Sequence, residues 1–352
     1  MQKIICGIQQ VGIGVSDINE AWKWYRKYFG MDIRVFEEKA VAEIMLPHTD
    51  NKPRERHAAL AMNMQGGGGF EIWQHTGKTP EAANFEIQLG DLGIFITKVK
   101  SKNVHAAHKH FKDSGLDLLS GIEKDPVGNE HFFIKDPYNN IFQIVSEESV
   151  FKKEKSFTGG TLGAVIGVSD IDKAFVVYRD ILGLDEIVYD REGSYKDLKS
   201  LPGGGNKIRR VLLKHSKPSK GAFSKLLGPR QIELVQLMDG EPNKIYKDRI
   251  WGDLGFIHLC FDISGMDILR NECKSKGFPF TVDSGDSFDM GEAAGSFAYI
   301  ADPDGTLIEF VETHKVPIIK KLGLYLKLRN RNPEKPLPDW MVKTLAFGRI
   351  KD

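Results

Sequence analysis

The residue whose type and setting most suggest chemistry lies near the end of the chain. Glu309 sits in the stretch Ala301-Asp302-Pro303-Asp304-Gly305-Thr306-Leu307-Ile308-Glu309-Phe310-Val311-Glu312. Asp-Pro-Asp-Gly is turn chemistry, in which Pro pre-sets φ and Gly accepts φ > 0. The residues after it alternate as a strand, with Ile308 and Phe310 on one face and Glu309 and Val311 on the other. A carboxylate on such a strand is costly to bury unless something cationic meets it. A solvated strand face is the plain alternative. The elements around Glu309 decide between these readings, because the stretch belongs to a repeat.

Residues 11–37, VGIGVSDINEAWKWYRKYFGMDIRVFE, align without a gap on residues 164–190, AVIGVSDIDKAFVVYRDILGLDEIVYD. Shared positions include Ser16/Ser169, Asp17/Asp170, Tyr25/Tyr178, Arg26/Arg179 and Gly30/Gly183. Each copy reads as strand, helix, strand. Asp17 and Glu20 have the spacing of a capping box, and Gly30 is placed to end the helix in the left-handed region. Residues 90–115 match 252–277 in the same gapless way, both opening on Gly-Asp-Leu-Gly. Each of these later copies ends in a turn and a strand, Asp136 to Gln143 and Asp302 to Glu309. Unit one closes with strands at His57–Met64 and Phe70–His75 around the Gly66–Gly69 run, read as a hairpin turn or mobile loop. Unit three closes with Arg209–His215 and Gln231–Met238, amid the Gly- and Lys-rich stretch Leu201–Gly228. The chain is therefore expected to be α+β, with four strand–helix–strand–strand–strand modules at about 4–80, 90–148, 158–240 and 252–314. They form related halves at 1–150 and 151–316, followed by a basic tail at 317–352.

At 352 residues the chain has length for about two domains, and 41% hydrophobic with 28% charged residues is ordinary for a globular protein. The 49 Lys and Arg against 48 Asp and Glu leave a net charge of +1, so no global field draws nucleic acid. Three cysteines without CxxC spacing suggest a reducing compartment. No apolar run approaches the roughly 18 residues of a membrane span, and the first residues carry no secretory pattern. A cytoplasmic protein is expected, acting on a small molecule, and nothing in the sequence argues against a monomer.

The modules, with their VSDIxxAxxxYR helix start and DPDGTLIEF ending, resemble the vicinal oxygen chelate superfamily. That superfamily includes glyoxalase I, bleomycin-resistance proteins, extradiol dioxygenases, methylmalonyl-CoA epimerase and 4-hydroxyphenylpyruvate dioxygenase. The resemblance covers about residues 4–314. It implies curved, open-barrel sheets, each built by two modules around a metal held by residues of the first and last strands. Carried onto this sequence, the first-strand positions are Gln10, Ile96, Gly163 and His258, and the last-strand positions are Glu71, Gln143, Glu233 and Glu309. Ile96 and Gly163 cannot ligate. Gln10, Glu71, His258 and Glu309 can, and they are the set that pairing of module one with module four would unite. Pairing of three with four would instead offer Glu233, His258 and Glu309. One imidazole, two carboxylates and an amide suit a divalent Zn, Ni, Co, Mn or Fe. Strand alternation puts Glu71, Trp73 and His75 on one face, and His258, Cys260 and Asp262 on another. Trp73, His75, Cys260 and Tyr299 are therefore candidates to line a substrate pocket.

A glyoxalase-type site implies a metal-dependent isomerase, lyase or epimerase, in which Glu309, aided by Glu71, removes a proton α to a carbonyl. A non-haem iron extradiol or 2-oxo acid dioxygenase is the alternative, although Gly163 stands where one of its two histidines would be. A non-catalytic resistance-type protein that binds an apolar ligand is a third reading. The tail carries Lys320, Lys321, Lys327, Arg329, Arg331, Lys335, Lys343, Arg349 and Lys351, with Ile318, Leu322, Tyr325, Leu326 and Trp340 among them. It is expected to dock on the domain surface. Attraction to an anionic membrane or an acyl-CoA-like ligand is the alternative.

Overall fold

The computed structural model describes residues 3–285, 288–290, 293–319, 324–329 and 331–351. Module one runs β1 (Ile4–Gly14), α1 (Ile18–Phe29), β2 (Ile33–Ala42), β3 (Arg54–Met62) and β4 (Gly69–His75). Module two runs β5 (Gly93–Ser101), α2 (Val104–Asp113), β6 (Glu123–Lys124), β7 (Glu130–Lys135) and β8 (Ile141–Ser146). Module three runs β9 (Thr161–Gly167), α3 (Ile171–Phe175), β10 (Glu186–Gly193), β11 (Ile208–Lys214), a short α4 (Ser224–Leu227) and β12 (Gln231–Leu237). In module three the helix continues past Phe175 as π turns over Val176–Ile181. Module four runs β13 (Gly255–Ser264), α5 (Met266–Ser275), β14 (Val282–Asp283), β15 (Phe288–Met290), β16 (Ala293–Ala301) and β17 (Leu307–Ile319). The tail adds β18 (Leu324–Lys327) and α6 (Asp339–Lys343). Among the described residues no helix is long and apolar enough to cross a membrane.

The halves of the sequence are not the halves of the sheet arrangement. The first sheet runs β14-β16-β17-β13-β1-β4-β3-β2 and so joins module four to module one. The second runs β10-β11-β12-β9-β5-β8-β7-β6 and joins module three to module two. At each centre two opening strands meet antiparallel, β1 on β13 and β5 on β9, with a closing strand parallel on either side. Ligand candidates on opening and closing strands are therefore neighbours across a few residues of register.

The sequence halves are tied together elsewhere, by the residues they repeat. Asp17 caps α1 by accepting from the Asn19 and Glu20 amides, and Gly30 ends it at φ 62°, as the spacing predicts. The buried Tyr25 on that helix donates to Asp136 at 2.6 Å, in the turn that opens β8. Tyr178 donates to Asp302 at 2.8 Å, in the turn that opens β17. Asp302 also accepts from the Asp304 and Thr306 amides at 2.9 and 2.8 Å, which fixes where the strand carrying Glu309 begins. Tyr178→Phe leaves this buried carboxylate short of one donor. It is expected to destabilise the protein by about 1–3 kcal/mol, measurable by urea denaturation.

The Gly66–Gly69 run lies in the connection between the antiparallel strands β3 and β4, as a hairpin turn would, and its backbone is also bonded to the other sheet. The Gly67 amide donates to Leu226 O at 2.8 Å, while Gly68 and Thr161 exchange backbone bonds at 2.9 and 2.8 Å and the Gly160 amide donates to Gly66 O at 2.7 Å. Gly67 has φ +102°, and a Cβ there would lie 2.7 Å from the Gly160 carbonyl carbon. Two glycine stretches thus let backbones of the two sheets touch.

The last strand of module four runs to Ile319, past the expected module end and into the tail, and pairs with β18. Further on, the Leu337 amide donates to Ala222 O, and Leu337 and Val342 bury beside Leu226, Leu227, Met62 and Met64. Lys225 pairs with Asp339 at 2.8 Å, and Arg349 pairs with Asp32 and Glu154. Trp340, one of the tail's apolar residues, is 61% exposed. Lys320, Lys321 and Leu322 lie outside the described residues.

Candidate metal centre

On the first sheet, β1 places Gln10, β4 Glu71, β13 His258 and β17 Glu309 around one point. The parallel register sets Gly12 beside Glu71 and Cys260 beside Glu309, and the antiparallel register sets Gly12 beside His258 and Gln10 beside Cys260. His258 Nε2 is 3.1 Å from Glu71 Oε2 and 3.1 Å from Glu309 Oε2. Gln10 Nε2 reaches the same two oxygens at 3.4 Å. One potential ligand atom each from Glu71, His258 and Glu309 lies within 4.8 Å of the others. His258 is fully buried, and Gln10 and Glu309 nearly so.

The arrangement fits a cation better than it fits itself. Neither close approach to His258 Nε2 has hydrogen-bond alignment, and both ring nitrogens lack a hydrogen-bond partner, as does Gln10 Oε1. Two carboxylates converge on one imidazole, which leaves the cluster short of positive charge. Arg56, whose charge also reaches Glu71, already pairs with Glu38 at 2.5 Å. Burial alone would depress His258, but the Glu309 and Glu71 carboxylates outweigh it and raise the imidazole to about 9. Burial pushes Glu71 up, while His258 and Arg56 outweigh that and hold it below the usual range. A divalent ion would replace the proton that His258 otherwise takes on, with the Gln10 amide turned to present its oxygen.

Gly12 makes room for the His258 imidazole. A Cβ there would lie 2.4 Å from His258 Cε1 and 2.6 Å from Nδ1, so the ring lies across the β1 backbone. Gly12→Ala must displace the ring. It is expected to weaken divalent-metal affinity about 10- to 100-fold in a titration, while circular dichroism stays native.

Of the proposed pocket residues, three adjoin this cluster and one stands behind it. Tyr299 pairs with Glu309 across β16 and β17 and packs edge-on to His258, with ring centroids 5.5 Å apart. Burial, then Glu309, push both the Tyr299 phenol and the Cys260 thiol well above their ordinary values, so both are neutral. Trp73 is fully buried in the apolar cluster beside them. His75 packs behind Trp73, centroids 4.6 Å apart, with its Nε2 3.8 Å from Asp253. Burial drops its imidazole to about 4, so it is a neutral buried group.

Trp251 was not anticipated. Its ring lies nearly parallel to His258 at 6.4 Å and edge-on to Trp73 at 4.6 Å. It comes from the segment that links β12 to β13, held where the Trp251 amide donates to His48 O at 2.9 Å. One signal was available: Trp251 precedes the repeated Gly-Asp-Leu-Gly at the position Leu89 holds in the earlier copy.

The equivalent positions on the second sheet form a different object. Gly163 has no room for a side chain, since a Cβ would lie 1.8 Å from Gln231 O. Ile96 is apolar and fully buried. Glu233, the alternate ligand candidate, therefore sits on the other sheet from His258 and Glu309. Its partners are Lys98 at 2.5 Å, Arg210, and the Tyr189 hydroxyl at 2.9 Å. Lys98 occupies the repeat position of Cys260, one alternation along from the ligand position. Burial works against the charge on Glu233, and Arg210 and Lys98 outweigh it, holding the carboxyl far below its usual range. Two side-chain cations neutralise this carboxylate inside the sheet.

The comparisons with known proteins agree with this architecture. The model of the Glyoxalase/Bleomycin resistance protein/Dioxygenase superfamily matches residues 7–144 and again 162–310. Glyoxalase I from Zea mays superposes with a TM-score of 0.53 at 14% identity, over 88% of this chain and 92% of that one. A putative dioxygenase from Bacillus subtilis gives 0.55 at 12% identity, over 99% and 97%. At such identities these likenesses speak for the fold. No curated protein matches the sequence. With two matched copies spanning most of its length, the chain belongs to the Glyoxalase/Bleomycin resistance protein/Dioxygenase superfamily.

Proposed function

We propose that the chain is a metal-dependent isomerase, lyase or epimerase that removes a proton α to a carbonyl. The observation that carries this reading is the convergence of two buried carboxylates on one imidazole nitrogen, each at 3.1 Å. Gln10, Glu71, His258 and Glu309 would hold a divalent ion of the Zn, Ni, Co, Mn or Fe kind. When bound, such an ion supplies Lewis acidity that makes a neighbouring C–H more acidic.

Glu309 is the residue assigned to take the proton. His258 and Arg56 hold Glu71 in its ionised form, with its carboxyl below the usual range. Glu309 instead has the neutral thiol of Cys260 and phenol of Tyr299 as neighbours. Either can donate to a carboxylate without cancelling its charge. Trp73, Trp251 and Tyr299 exclude water, which strengthens electrostatic interactions inside the site. The dioxygenase alternative has less support, because the first-strand position of module one offers an amide where a 2-His-1-carboxylate site needs a second imidazole.

The test uses metal-loaded protein with the adduct of methylglyoxal and glutathione, followed by proton NMR in deuterated water. Isomerisation with exchange of the α proton supports the reading. Its absence with every one of these metals, together with oxygen uptake on a catechol and Fe(II), would replace it by the dioxygenase.

A further inference from the structure

Four large apolar side chains that the fold leaves exposed border one strand. Val35 and Val41 lie on β2, and Ile44 follows it. Phe347, 90% exposed, precedes Gly348, where a Cβ would lie 2.6 Å from Arg34 O. β2 ends the first sheet, with β3 on one side. The tail closes the start of its other side, where Arg349 bridges Ile33 and the Ile350 amide donates to Asp32 O at 2.9 Å. Among the described residues, no backbone bond from outside β3 reaches Val35–Ala42. A run of strand edge, bounded by the tail and by the end of β2, is left with its outward backbone donors and acceptors open.

The sequence of this edge suits a second copy of itself. On its exposed face the run reads Val35, Glu37, Lys39, Val41. Antiparallel pairing about a two-fold axis at Glu38 sets Val35 opposite Val41 and Glu37 opposite Lys39, each pair twice over. An axis at Glu37 or at Lys39 would set like charges opposite each other instead. Lys39 forms no ion pair among the described residues. Glu37 is held in place by Arg34 at 3.3 Å and His57 at 3.1 Å. At the axis Glu38 meets its own copy, but each of these carboxylates is already paired with Arg56. The length of open edge selects the same register, since pairing beyond Val35 would drive the partner's Ala42 against the tail at Arg34.

We propose that the chain forms a two-fold dimer through this edge, with Val35–Val41 of two copies paired antiparallel. The two first sheets then run on into one another, and the exposed apolar groups at either end of the seam cover each other. The surface is formed without the metal ligands, so its test is independent of the activity assigned to the first sheet.

Sedimentation of the full chain from about 1 to 200 μM spans the affinities of a small interface and tests this. A dimer is expected within that range. Lys39→Glu, an exposed change that leaves the core intact, should weaken the dimer about tenfold or more by setting like charges opposite each other. Exchanging both charges, Glu37→Lys together with Lys39→Glu, should restore it. A monomer throughout, a dimer that Lys39→Glu leaves unchanged, or one that the double exchange does not recover would overturn the proposal.

Discussion

Replacing Arg210 with Met is expected to destabilise the protein by about 3–5 kcal/mol, because it strips Glu233 and Asp197 of their shared cation inside the second sheet. For a chain of this size the thermal midpoint should fall by about 4–7 °C. Lys98→Met should cost less, since Glu233 keeps Arg210 and the Tyr189 hydroxyl. Replacing Lys98, Arg210 and Glu233 together by apolar residues of similar volume should recover much of the loss, as buried ion networks often allow. The pH dependence has a definite sign. Glu233 is depressed in the folded state, so its contribution is present above the ordinary glutamate value of about 4.3 and is lost as pH falls through the depressed one. Acid unfolding should therefore shift toward neutral pH in Arg210→Met. A midpoint within a degree or two of the parent would mean that the network is not what holds this sheet closed.

Glu309→Gln carries the second large effect. The change keeps an oxygen near His258 and Gln10 while removing the proposed proton acceptor. Turnover should drop about 10²- to 10⁴-fold with much of the metal retained. Glu71→Gln should act the other way round, with weaker metal binding and a smaller loss of turnover per bound metal. Full turnover in Glu309→Gln would assign the base elsewhere, with Glu71 the first candidate.

The repetition of sequence carried most of the fold. The helix start shared by Asp17 and Asp170, and the Asp-Pro turns at Asp136 and Asp302, are local chemistry, and each can be read from a few residues. Tyr25 and Tyr178 were visible as repeated letters, but their bonds to those turns cross more than a hundred residues and have no local signature. Pairing of modules one and four is the one that unites Gln10, Glu71, His258 and Glu309, and β1 does lie beside β13 in the sheet. The sequence could not exclude the other pairing, since each closing strand looks alike whichever partner it meets. Lys98 and Arg210 were missed because a strand lysine or arginine ordinarily reads as a solvated face. Aligned on Cys260, Lys98 stands out as a cation inside a cradle. Trp251 was missed because it lies in a linker, where a tryptophan has no periodicity to betray its direction. His75 shows the converse limit: alternation gave its face correctly but not that Trp73 stands between it and the ligands.

The proposed function puts a divalent ion on the first sheet, whereas Glu233 on the second sheet is met by the cations Lys98 and Arg210. Elemental analysis of protein purified without chelator and equilibrated with Zn, Ni, Co, Mn or Fe tests it most directly. One tightly bound divalent ion per chain is expected, lost in the His258→Ala and Glu309→Ala variants and retained in Lys98→Met. No bound metal in the parent, two metals per chain, or a single metal that survives His258→Ala would contradict it.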